Sequence, residues 1–156
     1  MTETVNLFSL VAESDPSDPE GFRARMARFG PTIGAEQLGG SVYEIDPGES
    51  ICPYHYEFPE EERLLVLEGN PTLRDPDGAH VLEPGDLVVF LEGPEGAHKV
   101  SNGSDQLGVA RVMMLSTKSK TAVCVYPDSN KVGVWPLGKL FRIDDAVDYF
   151  DGELNT

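Results

Sequence analysis

Histidine and glutamate recur at strand-compatible spacing in ICPYHYEFPEEERLLVLEG, residues 51–69. His55 and Glu57 stand two apart, so in an extended strand they share a face while Tyr54 and Tyr56 take the other. Glu62 opens the following apolar run on the side of Leu64 and Val66 and offers a third donor; Glu61 competes for that place. Further on, GPEGAHKVSN supplies His98, which shares a strand face with Val100 and Asn102. Two neutral imidazoles and two carboxylates suit a divalent transition metal (Mn, Fe, Zn or Ni) and balance its charge. On an octahedral ion such a set leaves positions for water or substrate; on zinc it could be closed and structural. The competing reading is an acidic loop in which both histidines are satisfied by hydrogen bonds.

The remaining reactive side chains carry weaker signals. Cys52 and Cys124 lie far apart and form no metal-type or redox-type pair by spacing. A small buried thiol is the simpler reading of Cys52, and His80, at a hairpin mouth, reads as a surface residue. Adjacent Met113 and Met114 face opposite ways in a strand, so one of them lines the interior. Arg111 interrupts the apolar run VARVMML and is expected on an exposed face; turned inward, it could hold a carboxylate.

Positioning these groups requires a single core, for which 156 residues with 40% hydrophobic content suffice. A formal charge of −15 opposes binding to nucleic acid or to an anionic membrane face. No apolar run approaches the length of a membrane helix, and no basic segment precedes the short apolar run near the N-terminus; a cytoplasmic location is the expectation.

Residues 41–126 contain short runs rich in Val, Leu, Phe and Tyr: SVYEI, RLLVLE, PTLR, AHVL, DLVVFL, HKVSN, VARVMML and TAVCVY. Turn compositions such as DPGES, DPDG, EPGD and NGSDQ separate them. Regular short strands of this kind predict an all-β antiparallel sandwich or barrel. Ahead of them, Asp18 and Pro19 suggest a capped helix with Phe22, Met26 and Phe29 on one face. Its three arginines, Arg23, Arg25 and Arg28, read as a solvated face or, less simply, as a place for an anion. A second short helix is expected over Ala146–Phe150, with fraying beyond it, and YPDSNKVGVWPLGK, residues 126–139, has loop character.

Taken together, Gly48, His55, Glu57, Glu62 and Gly69 resemble the first sequence motif of the cupin superfamily, with one extra residue after Gly48 and Glu57 in place of the second histidine. Gly85, Asp86, Gly93, His98 and Asn102 resemble the second motif, with Leu91 in the proline place and two residues added before His98. The resemblance covers about Val42 to Leu115 and is similar to small single-domain bacterial cupins. It implies a double-stranded β-helix, or jelly-roll barrel, as one domain over residues 1–156 with its core at about 40–126. It also implies a divalent metal on His55, Glu57, Glu62 and His98, a small-molecule ligand in the barrel mouth, and a homodimer. Cupins of this kind include dioxygenases, isomerases and lyases; a non-catalytic module that binds a small ligand is the alternative.

Overall fold

The computed structural model describes residues 3–154, whose regular elements are twelve strands and four short 3-10 turns. In chain order these are β1 (Arg25–Arg28), β2 (Leu38–Ile45), β3 (Tyr56–Phe58), β4 (Glu62–Glu68), β5 (Thr72–Asp75) and β6 (Gly78–Val81). There follow β7 (Leu87–Phe90), β8 (Lys99–Ser101), β9 (Ala110–Thr117), β10 (Ala122–Tyr126), β11 (Lys131–Trp135) and β12 (Lys139–Arg142). A five-stranded sheet runs β1-β2-β9-β4-β7; a four-stranded sheet runs β12-β11-β10-β3, and a three-stranded sheet runs β6-β5-β8. Every strand pairing is antiparallel. Among the described residues no helix is long and apolar enough to cross a membrane.

Alternation along the strands decides what is buried. Ile45, Leu64, Val66, Ala110 and Val112 turn the inner face of the large sheet towards Leu73 and Val100 of the three-stranded sheet, and all of them are almost fully buried. Removing that apolar area from water is the main stabilising term, at about 25 cal/mol per Å². Gly69, where β4 ends, has φ +76°, and a Cβ there would lie 2.8 Å from the Ala110 Cα and the Val109 carbonyl oxygen. The close crossing therefore requires glycine both for space and for backbone conformation.

Each of the eight expected strand runs contains a strand, but the expected N-terminal helix does not form. Residues 25–28 are β1, paired with β2 in the register Arg25↔Glu44 to Arg28↔Ser41. An open sheet edge offers backbone partners to every second residue, and Arg25 gains Glu44 and Asp46 there; a short isolated helix has no comparable support. The C-terminal helix is absent too. Ile143–Asp145 make one 3-10 turn, Ala146 returns to extended backbone, and Val147, Tyr149 and Phe150 stay exposed. With no surface to bury its apolar side, so short a segment cannot offset helix nucleation; the end of the expected fraying, residues 155–156, lies outside the described residues. Residues 126–139 hold β11 rather than a continuous loop, because the left-handed Asn130, φ 50°, reverses the chain and lays KVGVW along β10.

Arg111 corrects another expectation. It is 7% exposed, on the outer face of the large sheet, pairs with Glu44, and donates from Nη2 to the carbonyls of Leu7 and Leu10 at 2.7 and 2.8 Å. One guanidinium thus fastens the N-terminal segment across the sheet. Arg111→Met, which keeps bulk and removes these bonds, should lower unfolding free energy by about 2 kcal/mol in urea titrations and speed hydrogen exchange over residues 3–13. Unchanged exchange there would show that the segment is held by something else.

Candidate metal centre

Two backbone hydrogen bonds create the site. The His55 N–H donates to the His98 carbonyl at 3.1 Å and the His98 N–H donates to the His55 carbonyl at 2.8 Å, an isolated antiparallel bridge. His55 immediately precedes β3 and His98 immediately precedes β8, so the bridge joins the four-stranded sheet to the three-stranded one. Residues directly opposite each other project to one side, and the two imidazole centroids are 4.7 Å apart. Phe90 stacks on the His98 ring at 3.6 Å with an 8° tilt, which restricts its rotation.

Each imidazole is held by its Nδ1. In His55 this atom lies 3.0 Å from the Pro53 carbonyl oxygen, and in His98 it lies 2.9 Å from that of Gly96. A carbonyl oxygen only accepts, so both Nδ1 atoms carry the proton and both Nε2 atoms keep a lone pair. Those Nε2 atoms point at one carboxylate: Glu62 Oε2 is 3.9 Å from His55 and 3.3 Å from His98. Burial, followed by the neighbouring His98, lowers the pKa of His55 and favours its neutral form.

The turn before His98 supplies the second of these acceptors. Pro94–Gly96 form a 3-10 turn, and a Cβ on Gly96 would fall 1.8 Å from the Leu91 carbonyl oxygen. Only glycine fits there, and its carbonyl is the one that fixes the His98 tautomer. The motif asparagine has a different task. Asn102, 2% exposed, donates from Nδ2 to the carbonyls of Ile45 and Gly108, each at 2.8 Å, and so ties the end of β8 to β2 and to the loop before β9.

One ligand atom each from His55, Glu62 and His98 lie within 4.8 Å of one another. Glu57 does not join that trio. It belongs to a second one with His55 and Cys124, because β3 pairs with β10 in the register Glu57↔Cys124. Its carboxyl group is pushed up to about 7, mainly by burial and then by the negative charges of Glu62 and Glu60. Glu61 is engaged elsewhere, in an ion pair with Arg63, while exposed His80 faces Asp75 at 3.7 Å. Cys52 also faces the site, its Sγ 3.5 Å from His55 Nδ1, and burial raises the pKa of both thiols. Sequence spacing could not place Cys124 here, since nothing local specifies which strand lies beside residue 57.

These groups line a cavity of about 290 Å³ that Tyr43, Ile51, Val100, Met114 and Trp135 complete with largely apolar surface. Its lining contains two carboxylates and no lysine or arginine. The donor set fits a divalent cation: two imidazoles of fixed tautomer with free lone pairs, and a carboxylate between them that is otherwise uncompensated.

The family model for the cupin domain matches residues 41–115. No curated protein matches the chain by sequence. Among solved structures, a cupin-superfamily sugar phosphate isomerase from Silicibacter pomeroyi gives a TM-score of 0.79 at 24% identity, covering 95% of this chain and 98% of its own. A protein from Acidithiobacillus ferrooxidans gives the same TM-score, 0.79, at 24% identity over 91% of each chain. A polyketide cyclase from Streptomyces resistomycificus aligns with a TM-score of 0.61 at 22% identity over 75% of this chain and 80% of its own. The motif residues and the family match agree that residues 41–115 are similar to a cupin domain, and the solved structures share the fold that carries them.

Proposed function

We propose that this chain is a metal-dependent cupin enzyme acting on a small organic molecule, with His55, Glu62 and His98 holding the ion. The observation that carries this reading is the pair of imidazoles whose Nδ1 protons are committed to the Pro53 and Gly96 carbonyls while both Nε2 lone pairs converge on Glu62. Histidines satisfied only as core residues have no need to point both free nitrogens at one carboxylate. A divalent ion bound there would polarise a substrate oxygen or acidify a bound water.

The chain's own groups supply the rest. The cavity, with apolar side chains among its lining, leaves room for a small ligand. Glu57, on the cavity side of His55 and outside the trio, is placed to take a proton from a bound molecule and return it. Such a role needs no redox partner and suits an isomerase or lyase better than a dioxygenase. The isomerase and cyclase among the similar structures are in keeping with a small-molecule substrate. A second reading has its own observation: the overlapping trio of His55, Glu57 and Cys124 could hold the ion one step further into the four-stranded sheet. A soft thiolate would then favour zinc over manganese.

Protein purified without chelators should contain about one transition-metal ion per chain. His98→Ala and Glu62→Gln should lose most of it by elemental analysis, while Glu57→Gln should retain the metal. Retention of metal in His98→Ala would contradict the ligand assignment. Loading with cobalt separates the two trios: the first predicts no sulfur-to-metal charge-transfer band, whereas a band abolished by Cys124→Ser would move the ion to the second. Nitrogen-15 NMR of the metal-free protein at pH 8 should show Nδ1 protonated and Nε2 bare in both imidazoles; protonated Nε2 would remove the argument for a preformed site.

A further inference from the structure

A second cavity, of about 370 Å³, adjoins the first. The two share Tyr43, Glu62 and Met114, and so meet across the carboxylate that the metal reading uses. Their chemistry differs. The first cavity has carboxylates and no cation, whereas the second is lined by Arg28 and Lys118 together with the hydroxyls of Ser41 and Ser116.

Sheet register explains the juxtaposition. Ser116 lies opposite Glu62 on one side and Gly39 on the other, and in the next row Arg28 lies opposite Ser41, which lies opposite Met114. All of these positions alternate onto the inner face, so the basic end continues the face that carries Glu62. Arg25, an odd number of residues away from Arg28, goes instead to the outer face and pairs with Glu44. The two arginines of β1 are therefore split between the two faces.

Among the described residues Arg28, like Arg23 and Arg142, has no carboxylate within ion-pair distance, whereas Arg25 has two and Arg63, Arg74 and Arg111 have one each. Lys118 donates to the Ala35 carbonyl at 3.0 Å, which leaves its other two ammonium protons available. On a chain with 27 acidic and 12 basic residues, two such cations beside one cavity are an uncommon local charge. Gly39 keeps the floor open, because a Cβ there would lie 2.7 Å from Ser116 Oγ. Burial pushes the Tyr43 hydroxyl up to about 12, and Arg28 is near enough for its charge to offset part of that rise.

We infer that the second cavity is an anion subsite, and that the ligand is a small polyol or hydroxycarbonyl compound with a phosphate or carboxylate at one end. The anionic end lies between Arg28 and Lys118 and accepts from Ser41 and Ser116; the oxygen-rich end reaches the cavity of His55 and His98. The second half of this assignment rests on the metal-site reading, whereas the subsite does not.

Calorimetric titration with glycerol phosphate, glycerate and glycerol tests it, using the whole chain with and without bound metal. Glycerol phosphate or glycerate should bind more tightly than glycerol, and whichever is stronger names the anion. Arg28→Gln and Lys118→Gln should each weaken that ligand about tenfold and leave glycerol and metal content unchanged. Gly39→Ala, which narrows the floor without changing charge, should weaken it as well, and Arg142→Gln, a remote loss of one positive charge, should not. Anion binding that survives in a protein taking up no metal would sustain the subsite and refute the metal reading. Metal uptake with anion affinity indifferent to Arg28 and Lys118, or equally sensitive to Arg142, would overturn the subsite.

Discussion

The site depends on the two-bond backbone bridge between His55 and His98. It is a seam between two sheets, flanked by the Ile51–Val100 and Gly93–Glu57 backbone bonds, and it sets the separation of two imidazoles that come from segments 43 positions apart (98 − 55). Side-chain packing then removes the remaining freedom. Phe90 covers one ring, and the Pro53 and Gly96 carbonyls commit each Nδ1. Ordered in this way before any ligand arrives, the donors lose little conformational entropy on binding one.

Around that seam the charges are arranged for a cation. Glu62 and Glu57 both face the cavity, where burial and then the negative charge of Glu62 disfavour ionisation of Glu57. A divalent ion relieves both costs at once. Replacing the usual second motif histidine with Glu57 does not leave a gap. It puts a carboxyl group beside Cys124, in the second trio with His55. The basic cavity beyond Glu62 completes a gradient along one inner face, from cation-seeking at the His55 end to anion-seeking at Arg28.

The strand plan of residues 41–126 was legible because period-two burial and turn chemistry both act locally, and the eight runs read from them all contain strands. The order of the site residues was legible through motif spacing. Other features depended on partners far away in sequence. Phe22, Met26 and Phe29 share helical spacing, yet the open edge of β2, with Glu44 and Asp46 facing it, draws this segment into a strand. Gly133 and the flanking turns disguised β11, whose extended form comes from its pairing with β10. Arg111 looked exposed because its acceptors, the carbonyls of Leu7 and Leu10, lie more than 100 residues earlier. Glu57 and Cys124 became neighbours only through the β3–β10 register, which no local pattern announces.

The most direct test of the account is an anomalous-scattering map from crystals of the protein grown with manganese or zinc. The account predicts one strong peak about 2.0–2.3 Å from His55 Nε2, His98 Nε2 and a Glu62 carboxylate oxygen, with Glu57 free to face the cavity. No peak between the two imidazoles, or a peak ligated by Glu57 and Cys124 without Glu62 and His98, would contradict it.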